Sequence, residues 1–253
     1  MEIDKLLNTA IDVAKQAGLR LKSVESRTIN SDAGNDVKLQ EDVDSENFIR
    51  EKLSQFGIPV IGEELAGDLS LIENNQYYWI VDPIDGTYNF LRKYPGVCVS
   101  IALMQGLEPV VGVIYEFTRD ELFAGAKGFP LTLNGKIVQP NWAKKIEQAV
   151  VMTGFPSSTD YSDAGLKSFI KTVQTFKKVR MCGSAAMAVA YVSSGRADVY
   201  VENKVNLWDI AAGLALINSS GGVYKIENAN IPNKPLCLNV KLASCKEFLA
   251  DEK

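Results

Sequence analysis

The side chains able to do chemistry fall in a few short runs. Asp82-Pro83-Ile84-Asp85-Gly86-Thr87 follows the apolar run Tyr77-Tyr78-Trp79-Ile80-Val81. Two carboxylates therefore stand at the carboxyl end of an expected buried strand, with a proline fixing the backbone between them. Such a pair can converge on one hard cation, and the Ile84 carbonyl between them is a further oxygen ligand. Gly86 and Thr87 open a short helical turn through Tyr88-Asn89-Phe90, whose free N–H groups would meet a phosphate oxyanion. Taken alone, the hexapeptide is equally explained by an Asp N-cap at a strand-to-helix junction. Gly62-Glu63-Glu64 follows Ile58 to Ile61 and places one of its carboxylates at another strand end, although a surface Glu pair would look the same. Asp209 lies in the first turn of the nearly all-apolar helix that begins at Trp208, where the helix dipole favours an acid whatever its job. An acid at the mouth of a buried helix needs a partner. No histidine and no adjacent arginine supplies one, and a metal would. Asp42, just before the second helix, is by default an N-cap.

Glu63, Asp82, Asp85 and Asp209 together carry a charge of −4. Two divalent ions neutralise them, and a third leaves +2 to match a phosphate monoester dianion. Oxygen-only donors favour Mg2+, two to three ions, with Mn2+ as a substitute, over zinc or copper. A calcium EF-hand fails, because Asp32 to Val43 has Val37 where the sharp-turn glycine belongs and ends without the bidentate Glu. No Walker A or GxGxxG pattern occurs. The chain has no histidine, which excludes Ser-His-Asp and Cys-His catalysis, HExxH sites and mixed Cys/His zinc sites.

The remainder of the chain has to position these acids. Its 253 residues, 46% apolar and 23% charged, are enough for a real core. With 27 basic against 31 acidic residues and no long run of one sign, nucleic acid held by bulk electrostatics is not expected. The cysteines, Cys98, Cys182, Cys237 and Cys245, form no CxxC pair and read as reduced core thiols. The amphipathic N-terminus, with acids at positions 2 and 4, is unlike a signal or transit peptide, so a cytoplasmic location is expected. The longest apolar stretches are too short to span a bilayer, so no membrane partner is expected.

Ile3, Leu6, Leu7, Ala10, Val13, Ala14, Ala17 and Leu21 recur at helical spacing and predict an opening helix. Residues 25–42, including Ser31-Asp32-Ala33-Gly34-Asn35-Asp36, read as an exposed loop, and 43–56 as a second helix stopped by Gly57. Strands follow at 58–61, 77–81, 97–104, 109–115 and 121–124, with Asn134-Gly135 a hairpin turn. After Pro140 the pattern alternates: strand 148–153, helix 163–176, strand 177–182, helix 184–194, strand 197–202, helix 208–219, strand 222–226, then a closing strand and helix. The expected class is α/β (α+β): a mainly antiparallel half, 1–140, packed with a mixed α/β half, 141–253, as a single unit over 1–253.

These motifs resemble the inositol monophosphatase family of magnesium-dependent, lithium-sensitive sugar-phosphate phosphatases. The family pattern is GEE, then DPIDGTxNF, then WDxAAG leading to GG. The chain reads Gly62-Glu63-Glu64, Asp82 to Thr87 with Tyr88-Asn89-Phe90, and Trp208-Asp209 to Gly213 leading to Gly221-Gly222. Thr153-Gly154-Phe155-Pro156 and Gly183-Ser184-Ala185-Ala186 also match in order. The resemblance implies a layered αβαβα fold, a homodimer and a small phosphorylated substrate. It implies metal ligands at Glu63, Asp82, the Ile84 carbonyl, Asp85 and Asp209, and phosphate held by Gly86 and Thr87. Thr87 and Asp42 would orient and deprotonate the attacking water, which Glu63 helps position. Glu202 would bind substrate hydroxyls, with Gly183, Ser184, Ala185 and Asp209 lining that side; Glu202 as a strand-end acid and Ser184 as an N-cap are compatible with these roles. The usual VTxxD segment reads Lys38-Leu39-Gln40-Glu41-Asp42, leaving Asp42, Glu41 and Asp44 as alternatives, and Ser219-Ser220 replaces the EA of EAGG. The loop lysine often found in the family is missing. Inositol monophosphate is the first substrate expected. The alternatives are nucleotide-type substrates such as 3′-phosphoadenosine 5′-phosphate or NADP, fructose 1,6-bisphosphate and histidinol phosphate, and, in another class, a partner-binding regulatory protein.

Overall fold

The structure, a computed structural model, describes residues 2–33, 36–155, 159–229 and 236–249. Helix α1 (Ile3–Lys22) buries Leu6, Ala10, Val13, Ala14, Ala17 and Leu21, the face set by its helical spacing. A hairpin of β1 (Ile29–Ala33) and β2 (Asp36–Leu39) leads into α2 (Gln40–Leu53) and a 3-10 turn to Phe56. This corrects the loop expected over 25–42, where polar side chains hide a backbone that pairs with itself; Gly34 and Asn35 lie outside the described residues. It also moves the start of α2 three residues earlier, so that Asp42 sits inside its first turn instead of preceding it.

Next come β3 (Val60–Gly62), α3 (Ser70–Glu73), β4 (Tyr77–Asp85), α4 (Thr87–Arg92), β5 (Cys98–Gln105), β6 (Glu108–Glu116), β7 (Glu121–Ala126), β8 (Phe129–Leu133) and β9 (Lys136–Ile137). They form a seven-stranded sheet in sequence order, antiparallel except for β3 beside β4. Asn134 and Gly135, both with positive φ, make the β8–β9 hairpin turn. The second sheet has the order β11-β10-β12-β14-β13, from β10 (Val150–Met152), β11 (Lys178–Arg180), β12 (Val199–Asn206), β13 (Val223–Asn228) and β14 (Cys237–Ala243). Between its strands run α5 (Asp163–Gln174), α6 (Ala185–Ser193) and α7 (Leu207–Ser220). The expected closing helix is a single 3-10 turn, Lys246–Leu249.

Alternation along β4 explains the layering. Trp79 and Val81 pack with α1 and α2, whereas Tyr78 and Ile80 pack with α6 and α7. The far side of α6 and α7 meets Tyr200, Val205, Leu238, Val240 and Leu242 of the second sheet. The outer face of that sheet, with Val151 and Val201, looks toward α5. The order is therefore helix, sheet, helix, sheet, helix, as the layered αβαβα expectation requires. No helix among the described residues is long and apolar enough to cross a membrane.

Candidate active site

The ends of β3, β4, α4, α6, α7 and β12 meet around a cavity of about 300 Å³. Glu63 follows β3 directly. Asp82, Ile84 and Asp85 lie in the last part of β4, where pairing with β5 shifts register between Asp82 and Asp85, so the strand continues past its expected end at Val81. That irregularity lets consecutive acids turn toward one space instead of alternating across the sheet. Asp209 sits in the first turn of α7, and one of its oxygens accepts from the Asn206 N–H at 3.0 Å. One carboxylate oxygen each from Glu63, Asp82 and Asp209 lie within 4.8 Å of one another.

Asp85 lines the same cavity but outside that trio. Its Oδ2 accepts from the Ser184 hydroxyl at 2.7 Å and the Ala186 N–H at 2.5 Å, which ties β4 to the start of α6. Ser184 is also the N-cap of α6, accepting from the Met187 N–H at 3.1 Å. Gly86 has φ 91, in the left-handed region, and a Cβ there would lie 2.8 Å from the Gly96 carbonyl, so only glycine fits. The Thr87 hydroxyl lies 3.0 Å from the Ile84 carbonyl and 3.4 Å from Asp42 Oδ1. Asp42 stands behind Thr87, and its Oδ2 accepts from the Leu39 N–H at 3.1 Å. The Asn89 side-chain amide donates to the carbonyls of Gly96 and Cys182, at 2.8 and 2.7 Å, holding α4 against the segment before α6. Gly183, Ser184, Ala185 and Glu202 line the opposite wall. Pro156 of the matched Thr153-to-Pro156 run lies outside the described residues.

Glu63, Asp82, Asp209, Asp42, Asp85 and Glu202 are all pushed upward, chiefly by burial. Glu63 rises to about 8, and Glu64 and Asp42 add repulsion. Asp82 and Asp209 lie well above the ordinary carboxylate range, with Glu63 the next cause after burial. Asp42 rises to about 7. Asp85 reaches only about 6, because Ser184 and Ala186 stabilise its ionised form. Glu202 rises to about 7 against the pull of the Tyr200 hydroxyl, 3.0 Å away. Acids packed this closely favour protons or a shared cation. All-oxygen donors converging within a few ångströms fit a hard divalent ion.

Several residues that shape the site carry no signal of it in the sequence. Lys38 lines the cavity and pairs with Glu64 at 2.9 Å. Glu46 is fully buried, and its carboxylate accepts from the N–H groups of Glu64 and Leu65, at 2.8 and 3.2 Å, and from Arg50 at 2.7 Å. Arg50 in turn donates to the carbonyls of Val60, at 2.8 Å, and Ala66. The turn carrying Glu63 is therefore held from behind by one ion pair on α2. Its only local trace is the Glu46–Arg50 spacing of four, common on any helix surface.

The sequence model of the Inositol monophosphatase family matches residues 2–245. The chain belongs to this family. The family is one of metal-dependent phosphatases, and the acidic cluster could hold such a metal. An inositol monophosphatase of Dictyostelium discoideum is 34% identical over 231 residues, 87% of this chain and 84% of that protein. The Nus factor SuhB of Xylella fastidiosa is 38% identical over 175 residues, 68% of this chain and 62% of that protein's length. The crystal structure of the extragenic suppressor protein suhB from Bartonella henselae superposes with a TM-score of 0.82 at 28% identity, covering 97% of this chain and 96% of that one.

Proposed function

We propose that this member of the inositol monophosphatase family hydrolyses a small phosphate monoester, of the inositol monophosphate type, with Mg2+ as the resident ion. The observation that carries this reading is the convergence of Glu63, Asp82 and Asp209 within 4.8 Å beside the start of α4. Those three, with Asp85 and the Ile84 carbonyl, would hold two to three Mg2+ ions. Bound there, the metal would lower the pKa of water and stabilise charge on the departing oxygen.

The chain's own groups supply the remainder. The backbone N–H groups of Gly86 and Thr87 hold the phosphate. The Thr87 hydroxyl has one proton to donate; given to Asp42 Oδ1, 3.4 Å away, it leaves the oxygen free to accept from a water and so aim it. As the water attacks, its proton passes to Thr87 while the Thr87 proton passes to Asp42, which acts as the base. Glu63 helps orient the same water. Glu202 accepts from substrate hydroxyls, and Gly183 to Ala185 complete that wall. The attack is in line, with no covalent intermediate.

The name of the Xylella relative raises a second reading, a partner-binding regulator. Retention of all four acids favours hydrolysis, because a partner surface has no use for a buried cluster of like charge. A homodimer in the cytoplasm belongs to the same proposal, and light scattering of the purified chain reads its mass. The activity test is phosphate release from inositol 1-phosphate with Mg2+, then with added Li+. Release is expected with Mg2+, inhibited by Li+, and lost in Asp209→Asn while circular dichroism is unchanged. Undiminished release by Asp209→Asn would overturn the assignment.

A further inference from the structure

A cation stands in the acidic cavity beside Glu63 and Glu64. Lys38 lies on β2 between Val37 and Leu39, which both pack into the core beneath α1 and α2. Alternation along the strand turns Lys38 the other way, and its side chain lines the cavity. Its root is fixed, because Leu39 is fully buried and donates its N–H to Asp42 at 3.1 Å. The Lys38 ammonium donates to both oxygens of Glu64, at 2.9 and 3.1 Å. Glu64 is almost wholly enclosed, whereas 41% of the Lys38 side chain is exposed. The Glu64 backbone N–H is held in turn by the buried Glu46 carboxylate at 2.8 Å. An ordinary surface ion pair has both partners in water and contributes little; this one is anchored on its carboxylate side and open on its ammonium side.

Without that ammonium, this corner would be a second group of crowded acids. The charge of Glu64 bears on Glu63 and on Asp42, and Lys38 acts on Glu63 in the opposite sense. Glu63 belongs to the cluster with Asp82 and Asp209, and the Asp42–Thr87 pair lies on the same flank. Neighbouring carboxylates with no cation among them take up protons or a metal. Here the resident cation is a side chain. A lysine ammonium is a compact point charge that can meet a phosphate, as a metal ion can. Unlike an ion, it does not exchange with solvent, and it is present at any Mg2+ concentration.

Resting on the phosphatase reading above, we propose that the Lys38 ammonium takes the place of a third divalent ion. The cluster then holds two ions, and Lys38, held by Glu64, supplies the further positive charge to the substrate phosphate on the Glu63 side. Glu63, Asp82, Asp85 and Asp209 carry −4, which two divalent ions neutralise. Lys38 cancels Glu64 in the same way. A third ion beside Glu63 would have to displace the ammonium from Glu64 or stand against it, and like charges at such range repel strongly in an enclosed site. The consequence for function is a lower demand for metal. Two ions bring the site to full phosphate affinity, because its third positive centre is part of the chain.

Counting ions tests this without turnover. Free Mn2+ is followed by electron paramagnetic resonance as the full chain is titrated, as wild type, Lys38→Arg, Lys38→Met and Lys38→Met/Glu64→Gln. Two bound ions are expected for wild type and Lys38→Arg. Lys38→Met leaves Glu63 and Glu64 to share an ion and should bind three, and the double variant should return to two. Calorimetric titration with orthophosphate is then run in Mg2+ just sufficient for the wild type and again in large excess. Lys38→Met should bind orthophosphate about tenfold more weakly at the lower Mg2+, the size of one lost charge-assisted contact. Excess Mg2+ should restore most of that affinity in Lys38→Met and none in the double variant, whereas a residue that merely packs is not rescued by a metal. Three ions on wild type, an unchanged count in Lys38→Met, or a loss that excess Mg2+ does not repair overturns the proposal. Circular dichroism checks folding. If Lys38→Met does not fold, Glu64→Gln alone decides: two ions with orthophosphate bound at least as tightly as by wild type supports the role, and weaker binding overturns it. A chain that releases no phosphate from inositol 1-phosphate, yet goes from two ions to three in Lys38→Met, refutes the phosphatase reading and keeps the role of Lys38; phosphate release with an unchanged count does the reverse.

Discussion

Helices α7 and α5 lie on opposite faces of the second sheet and are built in opposite ways. In α7, Leu207 and every residue from Ile210 to Ile217 are buried, and Asp209 projects from its first turn. In α5 no residue is buried, and its aromatic side borders open volume. A group that must hold a cation to within tenths of an ångström needs a support that does not move. A helix with few buried contacts has low local stability, and α5 is such a helix. The two faces of the second sheet are thus packed to different degrees.

The largest expected effect tests the tight side. Gly112 of β6 lies against α7, where a Cβ would collide with the Ala212 carbonyl and stand 2.8 Å from the Ala215 Cβ. Gly112→Ala should cost about 3 kcal/mol of stability, at the upper end for overpacking, read by chemical denaturation. Phe169→Ala on α5 should leave the same midpoint nearly unchanged. Equal losses in the two variants would abolish the contrast.

A smaller effect is expected one step behind the acids. Glu46→Gln keeps the size of the side chain but removes the charge that holds Arg50 and the turn bearing Glu63. Mg2+ affinity should fall by about 10- to 100-fold, the range for groups that orient metal ligands. Calorimetric titration with Mg2+ reads this; unchanged affinity would mean that the turn holds itself.

The smallest effect is a pH dependence of the metal-free chain. Carboxylates whose folded pKa is raised bind more protons folded than unfolded, so their contribution favours folding most below the unfolded value. That contribution is lost as pH rises from the ordinary range, near 4, through the folded value of Glu63 at about 8. In chelator, the Tm should therefore fall between pH 5.5 and 8.5, and Mg2+ should restore it more at pH 8.5 than at pH 5.5. A Tm in chelator that climbs over this window, with no greater effect of Mg2+ at the upper end, would contradict the cluster's charge balance.

What the sequence makes legible is the set of motifs that end strands or open helices. Asp82, Asp85 and Asp209 declare themselves because an acid abutting a long apolar run must meet a donor or a cation to be tolerated there, and the structure lines all three along one cavity. Glu46 is illegible for the opposite reason. Its burial comes from backbone donors 18 and 19 residues away, and nothing in its own helix marks it. The β1–β2 hairpin is hidden because its pairing is a backbone property, while Ser31, Asp32 and Lys38 carry no alternation to signal it. Asp42 reads as preceding its helix because a capping acid looks the same at the N-cap and three residues on; in the fold, Leu39 occupies the N-cap and Asp42 reaches back to its N–H. The chamber beside α5 leaves no trace at all, since an amphipathic helix predicts a buried face and says nothing of a void beneath it.

Asp85 lines the acidic cavity and also closes the first turn of α6 through Ser184 and Ala186. One carboxylate is thus both rivet and electrode. Whatever changes the charge in the cavity also changes the pull on the joint between the first sheet and the helical layer. An ion drawn into the cavity would therefore also act on that joint, through a carboxylate that belongs to both.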